Sequence, residues 1–347
     1  MKIRLYTSIL IFSSCVVGKI PDFSNISSFD HETVIDKTDE FSTEEIQILN
    51  QEENIKLSGT LLSPKSKFKK IVIIVPGSGP DTRNSHYKLT EQFLKNNIAV
   101  FRYDDRGVNK SEGQYFEVVY GVNQMLNDVF YIVEHFRKDE SLKNKKIGLL
   151  GHSLGGMATI GSYNKGAEID FLIQWATPVQ KHGEDFKYQL MSGLNNYHNV
   201  LKYDSVEKKL EVMDLIHNLV AKNQEMDNLA LSKYIDKEMK KKGYKPRDFG
   251  WYHVKPMKKD ILKKNYEPVY QNINIPLLYI IGSNDRYVDP INNVKILKNF
   301  NNDNISLKVF DKLNHMLRKE VVIKRDKTTY NIEEYPLKYI LDWIKNV

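Results

Sequence analysis

The pentapeptide Gly151-His152-Ser153-Leu154-Gly155 follows the apolar run Ile147-Gly148-Leu149-Leu150 and precedes Gly156-Met157-Ala158-Thr159. This order reads as a strand, a very tight turn and a helix with a serine at the turn, the G-x-S-x-G nucleophile elbow. Glycines two before and two after the serine let the backbone reverse without Cβ clashes. They hold the hydroxyl in a strained position at a helix N-terminus, where amide dipoles favour developing negative charge. A serine so presented is placed to attack a carbonyl. The same five residues also suit a glycine-rich turn with a capping serine, so the partners that the chemistry requires decide between the two. Those partners are backbone donors for an oxyanion, then an acid and a histidine in the chain order Ser, Asp, His.

A buried parallel strand is expected at Ile71-Val72-Ile73-Ile74-Val75, a continuous β-branched run. It opens into Pro76-Gly77-Ser78-Gly79-Pro80, whose glycines let the N–H of Ser78 point into the space that the N–H of Leu154 faces. Two such donors can hold a tetrahedral oxyanion. A later apolar strand, Pro276 to Gly282, leads into Ser283-Asn284-Asp285-Arg286-Tyr287-Val288-Asp289-Pro290. Asp289, directly before Pro290 and an apolar-periodic segment, has the signature of a helix N-cap. Asp285 shows no such local duty and is the candidate acid. Of the nine histidines only His315 lies downstream of Asp285, in a loop after the strand-like Ile305 to Phe310, so it is the candidate base.

These residues resemble the α/β-hydrolase superfamily over essentially everything from about Phe41 onward. Asp104-Asp105-Arg106-Gly107-Val108-Asn109-Lys110-Ser111-Glu112-Gly113 is similar to the D-x-R-G-x-G-x-S-x-G loop of the serine aminopeptidase S33-like branch. With Gly77-Ser78-Gly79-Pro80-Asp81-Thr82-Arg83 it resembles bacterial carboxylesterases of the EstD type. The pattern departs at Asn109, where glycine is usual, and at Leu154; neither position is one of the three reacting side chains. Arg106 and Asp105 are expected to form an internal ion pair that shapes this loop. The resemblance implies an α/β fold with a mostly parallel central sheet, helices on both faces and a helical cap insertion.

The elements that must position the site follow from periodicity. Glu44 to Asn50 and Ile55 to Leu62 read as an antiparallel hairpin, and Ala99 to Tyr103 and Phe171 to Ala176 as further core strands. Val122, Met125, Leu126, Val129, Ile132, Val133 and Phe136 recur at helical spacing, as do Leu337, Ile340, Leu341 and Ile344 near the end. Between Pro178 and Pro276 run about ninety residues of helical character, far beyond an ordinary connection. They include Val206 to Val220 and Leu229 to Lys242 and are read as a cap over the site, at about residues 179–268. Its Tyr188, Met191, Tyr197, Trp251 and Tyr252 suit either an acyl or leaving-group pocket or the cap's own small core.

The start of the chain carries a different signal. Lys2 and Arg4 precede a mostly apolar Leu5 to Phe12, and Ser13-Ser14 stand before Cys15, the only cysteine in the 347 residues. This resembles a bacterial lipoprotein signal over residues 1–15, with Cys15 the lipidated residue and a membrane tether in place of a spanning helix, which needs roughly 20 apolar residues. A simple secretory signal is the other reading. Residues 16–40, polar and without period, are expected to be a flexible spacer ahead of a catalytic domain over 41–347. An exported, membrane-anchored protein follows, secreted or periplasmic if the cysteine is not modified.

The formal charge of +7 lies partly in cap lysines such as Lys240-Lys241-Lys242, with no zinc-finger or helix-turn-helix spacing, and does not indicate nucleic-acid binding. No zinc, calcium or P-loop pattern is present, so neither metal nor cofactor is expected. The expected activity is hydrolysis of a small acyl substrate, a carboxylic ester, with Ser153 as nucleophile, His315 as base and Asp285 orienting it. Aminopeptidase and thioesterase chemistry use the same machinery. A non-catalytic surface-binding lipoprotein is the alternative outside enzymes.

Overall fold

In a computed structural model of the chain, residues 22–35, 39–115, 121–194, 200–253, 256–319 and 326–347 are described. The chain begins with two antiparallel strands, β1 (Phe41–Asn50) and β2 (Ile55–Pro64). There follow β3 (Lys70–Val75), α1 (Tyr87–Lys95), β4 (Ile98–Tyr103), α2 (Val122–Lys138), β5 (Lys146–His152), α3 (Leu154–Lys165) and β6 (Phe171–Trp175). A helical stretch then comprises α4 (Glu184–Met191), α5 (Val206–Ala221), α6 (Asn228–Lys241), α7 (Pro246–His253), α8 (Pro256–Lys263) and α9 (Glu267–Gln271). The chain closes with β7 (Leu277–Gly282), α10 (Pro290–Asn299), β8 (Ile305–Phe310) and α11 (Glu334–Asn346).

All eight strands form one sheet in the order β1-β2-β4-β3-β5-β6-β7-β8. β2 meets β4 antiparallel, and from β4 to β8 every pairing is parallel. Parallel strands are covered on both faces, which is why β3, β5, β6 and β7 read as continuous apolar runs instead of alternating ones. Ile71, Val72, Ile73 and Val75 are fully enclosed. The connections reverse direction between β3 and β5: β3 leads to β4 on one side, while β5, β6, β7 and β8 build outward on the other. In open parallel sheets a cleft forms at the carboxyl ends of the strands flanking such a reversal.

The helices obey the same bookkeeping of apolar faces. Val122, Met125, Val129, Ile132, Val133 and Phe136 of α2 are buried, with Leu126 half-covered. α3 is buried from Leu154 through Ser162, as expected for a helix enclosed between the sheet and α2. α11 lays Leu337, Ile340, Leu341 and Ile344 against the sheet, with Trp343 edge-on to Phe171. Among the described residues no helix is long and apolar enough to cross a membrane.

The helices between β6 and β7 have a core of their own, in which Val212, Met213 and Ile216 of α5 meet Leu231 and Ile235 of α6 and Phe249 of α7. Tyr252 belongs to this core, where its hydroxyl meets His217 Nε2 at 2.7 Å. Met191 faces solvent, whereas Tyr188 reaches the cavity described below. Tyr197 and the side chain of Trp251 lie outside the described residues.

Two expectations are corrected. Residues 22–35 are not a free spacer: Phe23 and Phe29 pack on the core, and His31 and Glu32 are buried against the loop after β3. Phe23 also forms a parallel bridge with Val108. Arg106 does not pair with Asp105. It binds Asp128 of α2 through Nε at 3.0 Å and Nη2 at 2.7 Å, and also Glu53. Asp105 instead accepts the Asp81 N–H at 2.9 Å, and burial together with the neighbouring Asp81 carboxylate pushes its own carboxyl well above the usual range. Cys15 and the remainder of residues 1–21 lie outside the described residues.

Candidate active site

Ser153 stands between β5 and α3 with φ 55 and ψ −119, a backbone region that non-glycine residues occupy only under constraint. The constraint is visible. The Ser153 N–H donates to the Trp175 carbonyl of β6 at 2.8 Å, and its own carbonyl accepts from Gly156 at 3.0 Å. The first turn of α3 presses on the end of β3 so closely that a Cβ on Gly155 would lie 2.2 Å from the Pro76 carbonyl oxygen. The contact brings the loop after β3 to the serine: a Cβ placed on Gly77 would stand 3.2 Å from that of Ser153. Ser78, the next residue in that loop, lines one cavity with Ser153, and Leu154 begins α3.

His315 and Asp285 meet across two loops at the carboxyl ends of β8 and β7. His315 Nδ1 lies 2.7 Å from Asp285 Oδ2. The other carboxylate oxygen, Oδ1, accepts the N–H groups of Tyr287 at 2.7 Å and Val288 at 2.9 Å. Asp285 therefore does have a local duty, folding its own loop, in addition to holding the imidazole. Asp289 caps α10 by accepting from Ile291 and Asn292. The histidine loop is fastened by the Trp175 indole, which donates to the His315 carbonyl at 3.1 Å, and by the Asn284 N–H, which donates to Leu313 O at 2.9 Å. Gly282 is required at the end of β7, since a Cβ there would sit 2.1 Å from the Leu313 oxygen.

Ser78, Ser153, Asp285 and His315 line a single cavity of about 730 Å³, also bounded by Tyr188 and Tyr330. Tyr188 of α4 donates its hydroxyl to the Asp285 carbonyl at 2.6 Å, tying the helical insertion to the acid-bearing loop. The neighbouring Asp185 accepts the Asp289 N–H at 2.8 Å; burial, with the nearby Asp289 and Asp285 carboxylates, pushes its carboxyl up to about 7 despite the hydrogen bonds it accepts. His152, which also lines the cavity, stacks on Trp175 with centroids 4.4 Å apart, and its Nδ1 meets His86 Nε2 at 3.2 Å. Trp175, Asp185 and Gly282 escaped the sequence reading. Only Gly282, which ends an apolar strand directly before the acid loop, carried a local signal.

The N-terminal segment grips the far end of the loop after β3. His31 Nε2 lies 2.7 Å from Asp81 Oδ1, Tyr330 donates its hydroxyl to Asp81 Oδ2 at 2.9 Å, and Glu32 accepts from the Thr82 N–H and hydroxyl at 2.6 and 2.7 Å. His31, Glu32 and Asp81 bring one potential metal-ligand atom each within 4.8 Å of one another. Their hydrogen bonds already engage those atoms, so the cluster acts as a buried clasp.

A parallel sheet with a strained serine at the reversal point and a His–Asp contact on the following loops defines an α/β hydrolase. The chain belongs to the serine aminopeptidase S33 family, whose model matches residues 66–321. No curated protein matches it. Among solved structures it is similar to an esterase of Pyrococcus furiosus at 19% identity and a TM-score of 0.57, covering 93% of this chain and 98% of that one. A 2,6-dihydroxy-pseudo-oxynicotine hydrolase is 16% identical with a TM-score of 0.55, over 88% of this chain and 68% of that one. The α/β hydrolase GrgF of Penicillium sp. sh18 is 14% identical with a TM-score of 0.55, over 88% and 98%. At such identities these likenesses bear on the fold alone.

Proposed function

We propose that this protein is a serine hydrolase that cleaves carboxylic esters through an acyl-enzyme on Ser153. The observation that carries the reading is the 2.7 Å contact between His315 Nδ1 and Asp285 Oδ2 at the wall of the cavity that Ser153 lines. With Nδ1 committed to the carboxylate, Nε2 is the nitrogen left to take the serine proton. Ser153 Oγ bonds to the ester carbonyl carbon as its proton passes to His315 Nε2. The carbonyl oxygen becomes an oxyanion facing the amides of Leu154 and Ser78. Collapse expels the alcohol, which takes the proton from His315. Water then attacks the acyl-enzyme by the same route and frees the carboxylic acid. One oxyanion donor in such a site is worth about 10²- to 10³-fold in rate.

Esters are favoured over peptides by the charge of the cavity. An aminopeptidase needs a carboxylate for the substrate's ammonium group, and the one carboxylate among the described lining residues, Asp285, is turned onto His315 and its own loop. The test is a rate comparison on p-nitrophenyl esters of increasing chain length and on aminoacyl-arylamides. Ester turnover exceeding arylamide turnover supports the reading, and the reverse order sinks it.

The same proposal includes export and a tether at Cys15, supported by Lys2, Arg4 and the apolar Leu5 to Phe12 that precede it. Labelled palmitate should enter the protein in a bacterial host and be absent from Cys15→Ser. Equal labelling of both excludes the tether.

A further inference from the structure

One residue beyond Asp285, the same loop presents a guanidinium that is held in place with most of its donors unused. Arg286 donates through Nε to the Ser192 carbonyl just past α4 at 2.9 Å, and Ser192 Oγ donates back to the Arg286 carbonyl at 2.8 Å. Gln189 Nε2 fixes the next residue by donating to Tyr287 O at 3.0 Å. Arg286 Nη2 rests on the turn at Gly193, 3.1 Å from where a Cβ would be. Of the five guanidinium N–H groups only the one on Nε has an acceptor among the described residues, so the planar fork of Nη1 and Nη2 is available.

Arg286 lines the cavity of Ser153 and His315 together with Lys312 and Lys319, and all three residues are exposed. Some lysines elsewhere are matched by acids, as Lys187 is by Glu184 and Asp214 and Lys338 by Asp342, whereas Lys240 and Lys242 on α6 and just past it have no such partner among the described residues. The three at the cavity have no ion-pair partner among the described residues. The cavity lining therefore carries three cations against one carboxylate, Asp285, which is turned onto His315 and its own loop. A concave surface of one sign focuses its field and concentrates ligands of the opposite sign. A pre-positioned arginine fork matches the two oxygens of a carboxylate, which an ammonium group cannot do with the same geometry.

We propose that the cavity selects esters that carry a carboxylate away from the scissile bond, and that Arg286 receives that carboxylate. This rests on the ester-hydrolase reading above. Monoethyl adipate, ethyl hexanoate and ethyl 6-aminohexanoate place an anionic, a neutral and a cationic end on similar chains, and a pH-stat follows the acid released from each. The expected order of kcat/KM is adipate, hexanoate, aminohexanoate, with adipate ahead of hexanoate by about tenfold at low salt, as a few partly exposed charges in a cleft can supply. The gap should narrow in 0.5 M NaCl, where screening shortens to a few ångströms.

The ratio of the adipate rate to the hexanoate rate within each variant is the readout, so a general loss of folding or turnover cancels. Arg286→Gln should bring it close to one, and Arg286→Lys, which keeps the charge but loses the fork, should leave it intermediate. A wild-type ratio of one or less, or a ratio that Arg286→Gln does not move, overturns the proposal. Competition against fluorophosphonate labelling of Ser153 gives the same comparison without turnover: monoethyl adipate should protect at lower concentration than ethyl hexanoate. Labelling with equal protection rejects the charge selection and leaves the hydrolase reading standing. No labelling and no turnover rejects both.

Discussion

Trp175 of β6 donates its indole N–H to the backbone carbonyl of His315, 140 residues further along the chain, at 3.1 Å. The strand that accepts the Ser153 amide through the Trp175 carbonyl thus also holds the histidine loop, so one residue sets both sides of the serine–histidine gap. Trp175→Phe keeps an aromatic ring against His152 but removes the donor and part of the buried indole's volume. The expected result is a fall in kcat with little change in KM, and a loss of about 1–3 kcal/mol of stability from one buried hydrogen bond and the vacated volume. Steady-state ester kinetics and urea unfolding of the same preparation check the pair.

The two aspartates of the loop after β7 separate by duty. Asp285→Asn leaves the shape of the side chain but offers the imidazole the wrong partner, and kcat should fall by about 10⁴, the scale known for such a change in a Ser-His-Asp site. Asp289→Ala removes the cap of α10 and should cost about 1 kcal/mol of stability with kcat nearly retained. Similar kinetic losses in both variants would contradict the assignment of the acid.

Asp185 predicts a pH dependence of stability. Burial pushes its carboxyl up to about 7 from the ordinary 3.8, so between those values the folded chain keeps a proton that the unfolded chain has released. The contribution is fully present below about 4 and is lost as pH rises through about 7, to an extent on the order of 4 kcal/mol. Urea unfolding of the wild type should therefore show stability falling from pH 5 to pH 8 relative to Asp185→Asn. Curves that run parallel over that range would contradict it.

The segment that carries His31 and Glu32 should matter to the loop after β3. Glu32→Ala leaves the buried Thr82 N–H and hydroxyl without their carboxylate acceptor, at a cost of about 1–3 kcal/mol. Amide hydrogen exchange should accelerate over residues 77–84 in this variant and stay unchanged in the cap helices α5 and α6. Uniform acceleration would mean a global loss, and none at all would mean the clasp is dispensable.

What could be read from the chain divides along physical lines. β3, β5, β6 and β7 are legible because burial on both faces demands largely apolar runs, and α2 and α11 because one buried face leaves a helical period. Ser153, Asp285 and His315 stand out by chain order and spacing; the fold brings the latter two into contact, and all three line one cavity. Residues 22–35 were not legible: they dock through two separated phenylalanines and a buried His–Glu pair whose partners lie some fifty residues away. Arg106 was matched to its neighbour Asp105, whereas its partner Asp128 sits on α2 and is reached only after that helix packs. The cap aromatics divided in a way that periodicity does not encode, Tyr188 toward the cavity and Tyr252 into the cap's interior.

The central claim, that Ser153 becomes acylated, is tested most directly by where a fluorophosphonate is bound. Peptide mapping after labelling should find one adduct, on the peptide that contains Ser153, and Ser153→Ala should take up none and release no acid from an ester. An adduct on another residue, or ester turnover that survives Ser153→Ala, would contradict the account.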